Sequence, residues 1–161
     1  MKRKKSNIIW IVAIVVVVVG LLFLAQFTNP EKQAKNRMAK AGIECISVND
    51  SELKQHFHPK LMINVEGNNE VIPADIGVFQ DCSAEIHTHD TTGELHIETT
   101  NPDKKFTIGQ FFAVWGKSIM RNGYGVVVSV NDNGFMENED FYNKIELKDG
   151  EQIVVDYSLG K

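Results

Sequence analysis

An uninterrupted apolar run near the N-terminus constrains this chain more than any other feature. No charged residue lies between Ser6 and Pro30, and residues 8–25 are apolar throughout apart from Gly20. Because about 20 helical residues span the roughly 30 Å hydrocarbon core of a bilayer, the run is typical of a transmembrane helix. A cleavable signal peptide has a shorter apolar run followed by small residues, so we predict a retained signal anchor at residues 8–28, with cleavage as the alternative.

The charges on either side of this run predict an orientation. Four basic residues ("KRKK", residues 2–5) precede it, and positive charge beside a first helix tends to stay cytoplasmic. Residues 1–7 are therefore predicted to form a cytoplasmic tail, and the C-terminal part to lie outside the membrane. With four of the 17 basic residues in the tail, the rest carries 13 basic against 21 acidic residues, a net charge of −8. So acidic a part is a poor candidate for binding nucleic acid.

The chain has two cysteines, Cys45 and Cys82. Thiols outside the cytoplasm tend to oxidise, so we predict a disulfide between them. The alternative is a pair of free, buried thiols. The prediction depends on the predicted compartment, because the spacing alone does not establish a bond.

The remaining patterns predict helices and strands. Residues 29–43 are rich in helix formers and are predicted to form a helical stalk. The stretch "KLMINVEGNNEVIPADIGV" predicts a hairpin with its turn at "GNN", and "KIELKDGEQIVVDY" a second hairpin around Asp149–Gly150. "FTIGQFFAVWG" predicts a helix, since Thr107 and Gln110 form a capping box ahead of an apolar stripe. "GYGVVVSVNDNG" predicts a strand followed by an Asn-Gly turn.

The predicted fold class is α+β. We expect residues 44–161 to form one extracytoplasmic domain of mostly antiparallel strands with one packed amphipathic helix. A hairpin, an aromatic helix and a terminal strand pair, in that order, resemble a β-grasp-like arrangement.

Three of the five histidines lie in the stretch "AEIHTHDTTGELHIET", residues 84–99. Side chains alternate between the two faces of a strand. If His87 lies opposite His96 in a hairpin, the apolar residues share one face and the histidines and glutamates share the other. This register also places His89 opposite Glu94, and Glu85 opposite Glu98. A left-handed Gly93 would favour a register slipped by one, which would mix polar and apolar residues on both faces.

The preferred register predicts a metal site. Neutral imidazole is the commonest metal ligand, and three imidazoles from two neighbouring strands can surround one ion. We predict His87, His89 and His96 as ligands, with His58, His56 or Glu94 completing the set. A solvated sheet face is the alternative for the first three, and an exposed loop is the alternative for His56 and His58. Asp90 is expected to cap its own turn or to orient a histidine.

These residues resemble a pattern in an uncharacterised group of secreted or membrane-anchored bacterial and archaeal proteins. The pattern reads HxH, then C, HTHD, GxIHxE and FTLGxFFxxWG, and the resemblance covers roughly residues 56–116. This chain has Leu95 and Ile108 where the pattern has Ile and Leu, and Ile86 where it has Leu before HTHD. The resemblance implies that the five histidines and Cys82 belong to one constellation, but it implies no reaction.

Three functions are consistent with these predictions. The first is a membrane-anchored domain that binds copper or zinc to hold or deliver the metal, or to brace the fold. The second is a cupin-like enzyme in which three histidines and a glutamate hold iron, manganese or nickel. The third is a metal-free interaction module of a membrane complex. We expect partners to be the bilayer, through residues 8–28, and a membrane protein or metal-accepting protein.

The sequence offers no separate catalytic group. Three widely spaced serines, Ser83, Ser118 and Ser129, have no histidine and carboxylate in a triad context. A fourth hypothesis, pH sensing by repulsion between protonated histidines, follows from the same cluster.

Overall fold

The computed structural model describes residues 3–27, 29–47, 53–135 and 138–160. The chain divides between Gln33 and Ala34 into two compact units. The elements, in chain order, are α1 (Arg3–Phe27), α2 (Pro30–Lys40), β1 (Cys45–Ile46), β2 (Gln55–Phe57), β3 (Lys60–Val65), β4 (Asn68–Glu70), β5 (Ser83–Ala84), β6 (Ile86–His87), β7 (His96–Thr99), α3 (Ile108–Trp115), β8 (Tyr124–Val130), β9 (Asn133–Phe135), α4 (Glu139–Tyr142) and β10 (Gln152–Leu159).

The first unit contains α1, a helix of 25 residues. Its described apolar side chains are exposed, with Trp10 at 69% and Phe23 at 65%. Counting only the residues whose placement is described, no helix is long and apolar enough to cross a membrane. The anchor predicted at residues 8–28 stays a prediction, and residue 28 lies outside the described part of the chain.

A five-stranded sheet forms the main layer of the second unit, in the order β4-β3-β10-β8-β9. The pair β3 and β10 is parallel, and the other three pairs are antiparallel. Alternate residues of the central strands are buried, as one face of a half-covered sheet requires; they include Leu61, Ile63, Val128, Ile153 and Val155. An α+β domain of mostly antiparallel strands is thereby confirmed. The last described strand, β10, lies beside the first strand of the β3–β4 hairpin. The β-grasp-like arrangement stays a prediction.

Helix α3 forms where the sequence predicts it. The Thr107 hydroxyl accepts from the backbone N–H of Gln110, whose side chain accepts from the backbone N–H of Thr107, which completes the capping box. Gly116 ends the helix at a φ of 78°, in the left-handed region that a residue without Cβ tolerates. Phe111 and Phe112 are buried at 0% and 2% exposure, and burial of each contributes roughly 1.5–3 kcal/mol.

Two hairpin turns lie earlier than predicted, the first by one residue and the second by two. The first is at Glu66 and Gly67, with φ of 51° and 77°, and the second at Asn131 and Asp132, with φ of 48° and 67°. Positive φ at both central positions gives a type I′ turn, whose twist matches that of the flanking strands. Of the predicted "GNN" turn only Gly67 lies in the observed turn, because Asn68 and Asn69 already pair in β4. The predicted Asn-Gly turn is wrong, because both of its residues pair in β9.

The predicted hairpin around Asp149–Gly150 is also wrong. The backbone N–H of Leu147 donates to the Phe106 carbonyl at 2.8 Å, and that of Ile108 to the Ile145 carbonyl at 2.9 Å. Residues 145–147 thus pair with the segment that enters α3, whereas β10 inserts between β3 and β8. Alternation identifies a strand in the sequence but does not identify its partner.

The segment predicted as a stalk contributes to the core of the second unit. The helix α2 forms as expected, and near its end Met38 is only 4% exposed; Ile43, which follows it, is 1% exposed. The strand β1 then pairs with β5, with Cys45 opposite Ala84. Cys45 and Cys82 form the predicted disulfide, across a Cα–Cα distance of 5.6 Å that is usual for such bonds.

Candidate metal centre

A separate three-stranded sheet, in the order β2-β7-β6, brings the histidines together. His87 pairs with His96 across β6 and β7, so the register chosen from the sequence is confirmed. On the other side of β7, His56 pairs with Glu98. The strand β7, which carries His96, therefore lies between β6, which carries His87, and β2, which carries His56 and leads to His58.

The hairpin opens immediately after the His87–His96 pair. Beyond β6, the Thr88 carbonyl accepts from the backbone N–H of Asp75 at 3.0 Å. On the other arm, the Gly93 carbonyl accepts from the backbone N–H of Leu61 at 2.8 Å. Each arm thus pairs with a different segment, and the predicted pairing of His89 with Glu94 is not among the described pairs. Gly93 has the left-handed φ of 82° without causing the slipped register, because it sits against β3 and not in a tight turn.

The first histidine group consists of His87, His89 and His96, which offer ligand atoms within 4.8 Å of one another. The Nε2 atoms of His87 and His89 are 3.1 Å apart, and the rings of His89 and His96 have centroids 4.4 Å apart. His87 is 1% exposed, whereas His89 lies at the surface. The group therefore extends from the interior of the domain to solvent.

A hydrogen bond fixes the ring of His87. Its Nδ1 lies 2.8 Å from the carbonyl oxygen of Ala84. A carbonyl can only accept, so Nδ1 carries the hydrogen and donates it. In the neutral ring, Nε2 then has a free lone pair, as a metal ligand requires. A backbone carbonyl on the second nitrogen is the usual partner that orients a metal-binding histidine.

The second histidine group consists of His56, His58 and His96. The Nε2 atoms of His56 and His58 are 3.0 Å apart. His58 follows the end of β2, and its backbone N–H donates to Asp149 at 3.0 Å. Residues that precede a proline prefer extended backbone, and His58 precedes Pro59 in a chain that continues into β3. His56 and His58, predicted only as accessory ligands, thus form their own group with His96.

Two carboxylates lie next to the histidines. An oxygen of Glu94 is 3.5 Å from the Nε2 of His96, as the predicted ligand set allows, and an oxygen of Glu98 is 3.5 Å from the Nε2 of His56. The alternation of side chains along the strand placed Glu98 on the histidine face, but Glu98 was not predicted as a ligand. Asp90 caps its own turn, with its carboxylate 2.8 Å from the backbone nitrogen of Thr92.

Glu85 does not join the histidines, although alternation placed it on their face. A bend at this residue separates β5 from β6. Its carboxylate accepts from the hydroxyl of Thr99 at 2.6 Å and from the backbone N–H of Glu44 at 2.8 Å, and it forms an ion pair with Lys104. This buried network balances the charge of Glu85 and occupies its oxygens.

The surroundings lower the pKa of both central histidines, His87 and His96. Burial lowers the pKa of His87, and a smaller contribution from the Ala84 carbonyl opposes that shift. Burial also lowers the pKa of His96, with additional repulsion from His89 and His58. Since a metal ion competes with protons for the same lone pair, a lowered pKa favours metal binding near neutral pH.

A cavity of about 280 Å³ adjoins the first group, with His87, His89 and Glu98 in its wall. The two sulfur atoms of the cysteines are bonded to each other, so neither offers a thiolate. The donor set at this face therefore consists of imidazole nitrogens and carboxylate oxygens.

Comparison of the chain with known proteins does not assign a function to this site. No protein-family model matches the chain, no curated protein matches it, and no solved structure matches it. The resemblance over residues 56–116 stays a prediction, and the chemistry of the site itself carries the functional inference.

Proposed function

We propose that this protein binds one divalent transition metal ion, copper or zinc, through His87, His89 and His96. The observation that carries the proposal is the orientation of His87, whose Nδ1 donates to a backbone carbonyl while its Nε2 lies 3.1 Å from that of His89. Because this hydrogen bond already orients the His87 ring, the ring does not have to reorient when its Nε2 binds the ion. Preorganisation of this kind favours binding.

The donor set supports a transition metal ion such as copper(II) or zinc over Cu(I), Ca²⁺ or Mg²⁺. Imidazole suits Zn, Cu, Ni and Fe, whereas Cu(I) and iron–sulfur clusters prefer thiolates. The disulfide removes both thiols, and the nearby oxygens belong to single carboxylates and not to the multi-oxygen shell that Ca²⁺ or Mg²⁺ requires. Copper(II) stands above zinc in the general order of affinity for nitrogen sites.

The group of His87, His89 and His96 is better suited to binding and transferring a metal ion than to stabilising the fold as a structural metal site. Structural zinc sites are closed, with four protein ligands. Here three imidazoles leave a position open beside exposed His89 and the adjoining cavity. An ion in this place can exchange with a partner's ligand.

The enzyme alternative has weaker support. The cavity of about 280 Å³ beside His87 is at the lower limit of the volumes usual for small-molecule sites, about 300–1,000 Å³. Turnover of a substrate that depends on bound metal would favour this alternative over metal holding.

The experiment that tests the proposal measures metal binding by the full chain in detergent. Copper(II) and zinc are titrated and the bound ions are counted by elemental analysis. The chain is expected to retain metal, and His87→Ala to lower its affinity more than about 100-fold, since loss of a group that merely orients a ligand already costs about 10- to 100-fold. Asp140→Asn, which alters an exposed carboxylate on α4, is the matched control and should bind as the wild type does. Absence of uptake by the wild type would refute the proposal.

We further propose that residues 8–28 anchor the protein in a membrane, with the N-terminus cytoplasmic and the metal site outside. The apolar run, the four basic residues before it, and the exposed apolar side chains of α1 support this proposal. Fractionation of cells should recover the chain with membranes at high salt and at alkaline pH. A protease added to intact cells or spheroplasts should cut the histidine domain, and protection there would refute the orientation.

A further inference from the structure

His96 lies between two separate pairs of histidines. On one side, the ring centroid of His58 is 4.6 Å away with the planes at 80°; on the other, that of His89 is 4.4 Å away with the planes at 72°. The second members of the two pairs, His56 and His87, have ring centroids 6.2 and 5.6 Å from that of His96. The five rings thus form two triangles that share His96.

Each pair is separately arranged to hold an ion. The Nε2 atoms are 3.0 Å apart in His56 and His58, and 3.1 Å apart in His87 and His89. Two nitrogens bound to one tetrahedral ion at about 2.0–2.1 Å are roughly 3.3 Å apart, so each pair needs only a small adjustment. Two ligands are too few for a stable site, and both pairs find their third imidazole in His96.

We propose that the centre binds two ions when fully loaded, one at each pair, and that His96 bridges them through its two ring nitrogens. This inference rests on the proposed metal binding and extends it to a second ion. Carboxylates supply further ligands: Glu98 lies 3.5 Å from His56, and Glu94 lies 3.5 Å from His96. They also offset part of the positive charge that the second ion adds.

The bridge requires a defined proton step. Neutral His96 has one nitrogen with a free lone pair, which binds the first ion, and one N–H. As the second ion binds, this N–H bond breaks, the proton passes to solvent, and the nitrogen's electron pair forms the new metal bond. Two dipositive ions stabilise the resulting imidazolate, as metal binding generally stabilises deprotonated ligands.

Burial predicts an order of release. The pair His87 and His89 includes a side chain that is 1% exposed, whereas His56 is exposed and His58 is half-buried. An ion at His56 and His58 should therefore be removed by a chelator before an ion at His87 and His89.

Copper stoichiometry and paramagnetic resonance test this inference on the full chain. Titration with copper(II) should give two ions per chain. The integrated resonance signal should fall well below that of two isolated ions, because spins coupled through an imidazolate cancel. Loading with one copper and one zinc should restore the signal of one isolated copper. His56→Ala with His58→Ala alters only partly or fully exposed side chains and should leave one uncoupled copper. Asp140→Asn should leave both ions and their coupling unchanged.

The possible results separate this inference from the proposed function. A single ion per wild-type chain would overturn the second position while leaving metal binding by His87, His89 and His96 intact. Two ions with a full, uncoupled signal would overturn the bridge. His96→Gln should abolish coupling, and its persistence would equally overturn the role of His96. No bound ion at all would refute both proposals.

Discussion

Loss of the disulfide should weaken both the fold and the metal site. The perturbation is the double change Cys45→Ala and Cys82→Ala. The bond joins residues 37 positions apart, so it closes a loop of 38 residues in the unfolded chain. The entropy of closing a loop of this length corresponds to about 4 kcal/mol at 25 °C. Cys82 is 7% exposed, so a small apolar replacement avoids burying a polar group.

The same bond lies close to the carbonyl that orients His87. Cys45 pairs with Ala84 across β1 and β5, and Cys82 precedes Ala84 by two residues. The Ala84 carbonyl in turn accepts from His87 Nδ1. With β1 no longer held to β5 by a covalent bond, this carbonyl becomes less fixed, and we expect metal affinity to fall about 10-fold, the lower end of the effect of losing an orienting partner.

Urea unfolding followed by tryptophan fluorescence measures the first effect. The chain has two tryptophans, and a Trp10→Phe background leaves Trp115, which packs beside Phe111 and Phe112. The double variant should unfold with a free energy about 4 kcal/mol lower, and reductant should shift the parent by a similar amount but leave the variant unchanged. A loss under about 1 kcal/mol would refute the loop-entropy reasoning. Unchanged metal affinity in a folded variant would refute the connection through Ala84.

Two further predictions concern the rest of the second unit. Gly93→Ala should destabilise by about 3 kcal/mol in a thermal melt, since a Cβ there would collide with the Leu61 carbonyl oxygen at a left-handed φ; Gly150→Ala, which meets no atom within 4 Å, should cost only about 1 kcal/mol, and equal losses would contradict the steric argument. Glu70 accepts two hydrogen bonds from Arg121, at 2.6 and 2.9 Å, which lower the pKa of Glu70. This pair stabilises the fold above the unfolded carboxyl's pKa and loses that effect as pH falls through the lowered value, so Glu70→Gln should cost about 1 kcal/mol at pH 7 after allowance for solvent screening, and progressively less below about pH 4. A cost that does not change with pH would contradict it.

The alternation of polar and apolar residues in residues 84–99 was enough to predict the central histidine pair. Twelve alternating residues agree on a single register, and the His87–His96 pair follows from it. The capping box at Thr107 and the left-handed Gly116 were similarly predictable, because both depend on local chemistry. Local signals therefore gave the α3 boundaries and the central histidine pair.

The second histidine group depends on a long-range pairing that the sequence does not encode locally. His56 and His58 reach His96 because β2 pairs with β7, which lies about 40 residues further along the chain. The opening of the hairpin beyond His87 has the same origin, because its two arms form backbone hydrogen bonds with residues 75–76 and 59–61 and not with each other. Alternation within a strand carries no information about such competitors, and the predicted terminal hairpin was wrong for the same reason.

The position of β10 determines when the protein can fold. The strand ends at Leu159 in a chain of 161 residues, yet it occupies the middle of the five-stranded sheet. The backbone N–H of Gly150, just before it, donates to the carbonyl of His58 at 3.3 Å. Synthesis of β10 must therefore precede closure of the sheet and formation of the Gly150–His58 hydrogen bond, so the position of His58 depends on a strand made about 90 residues after it.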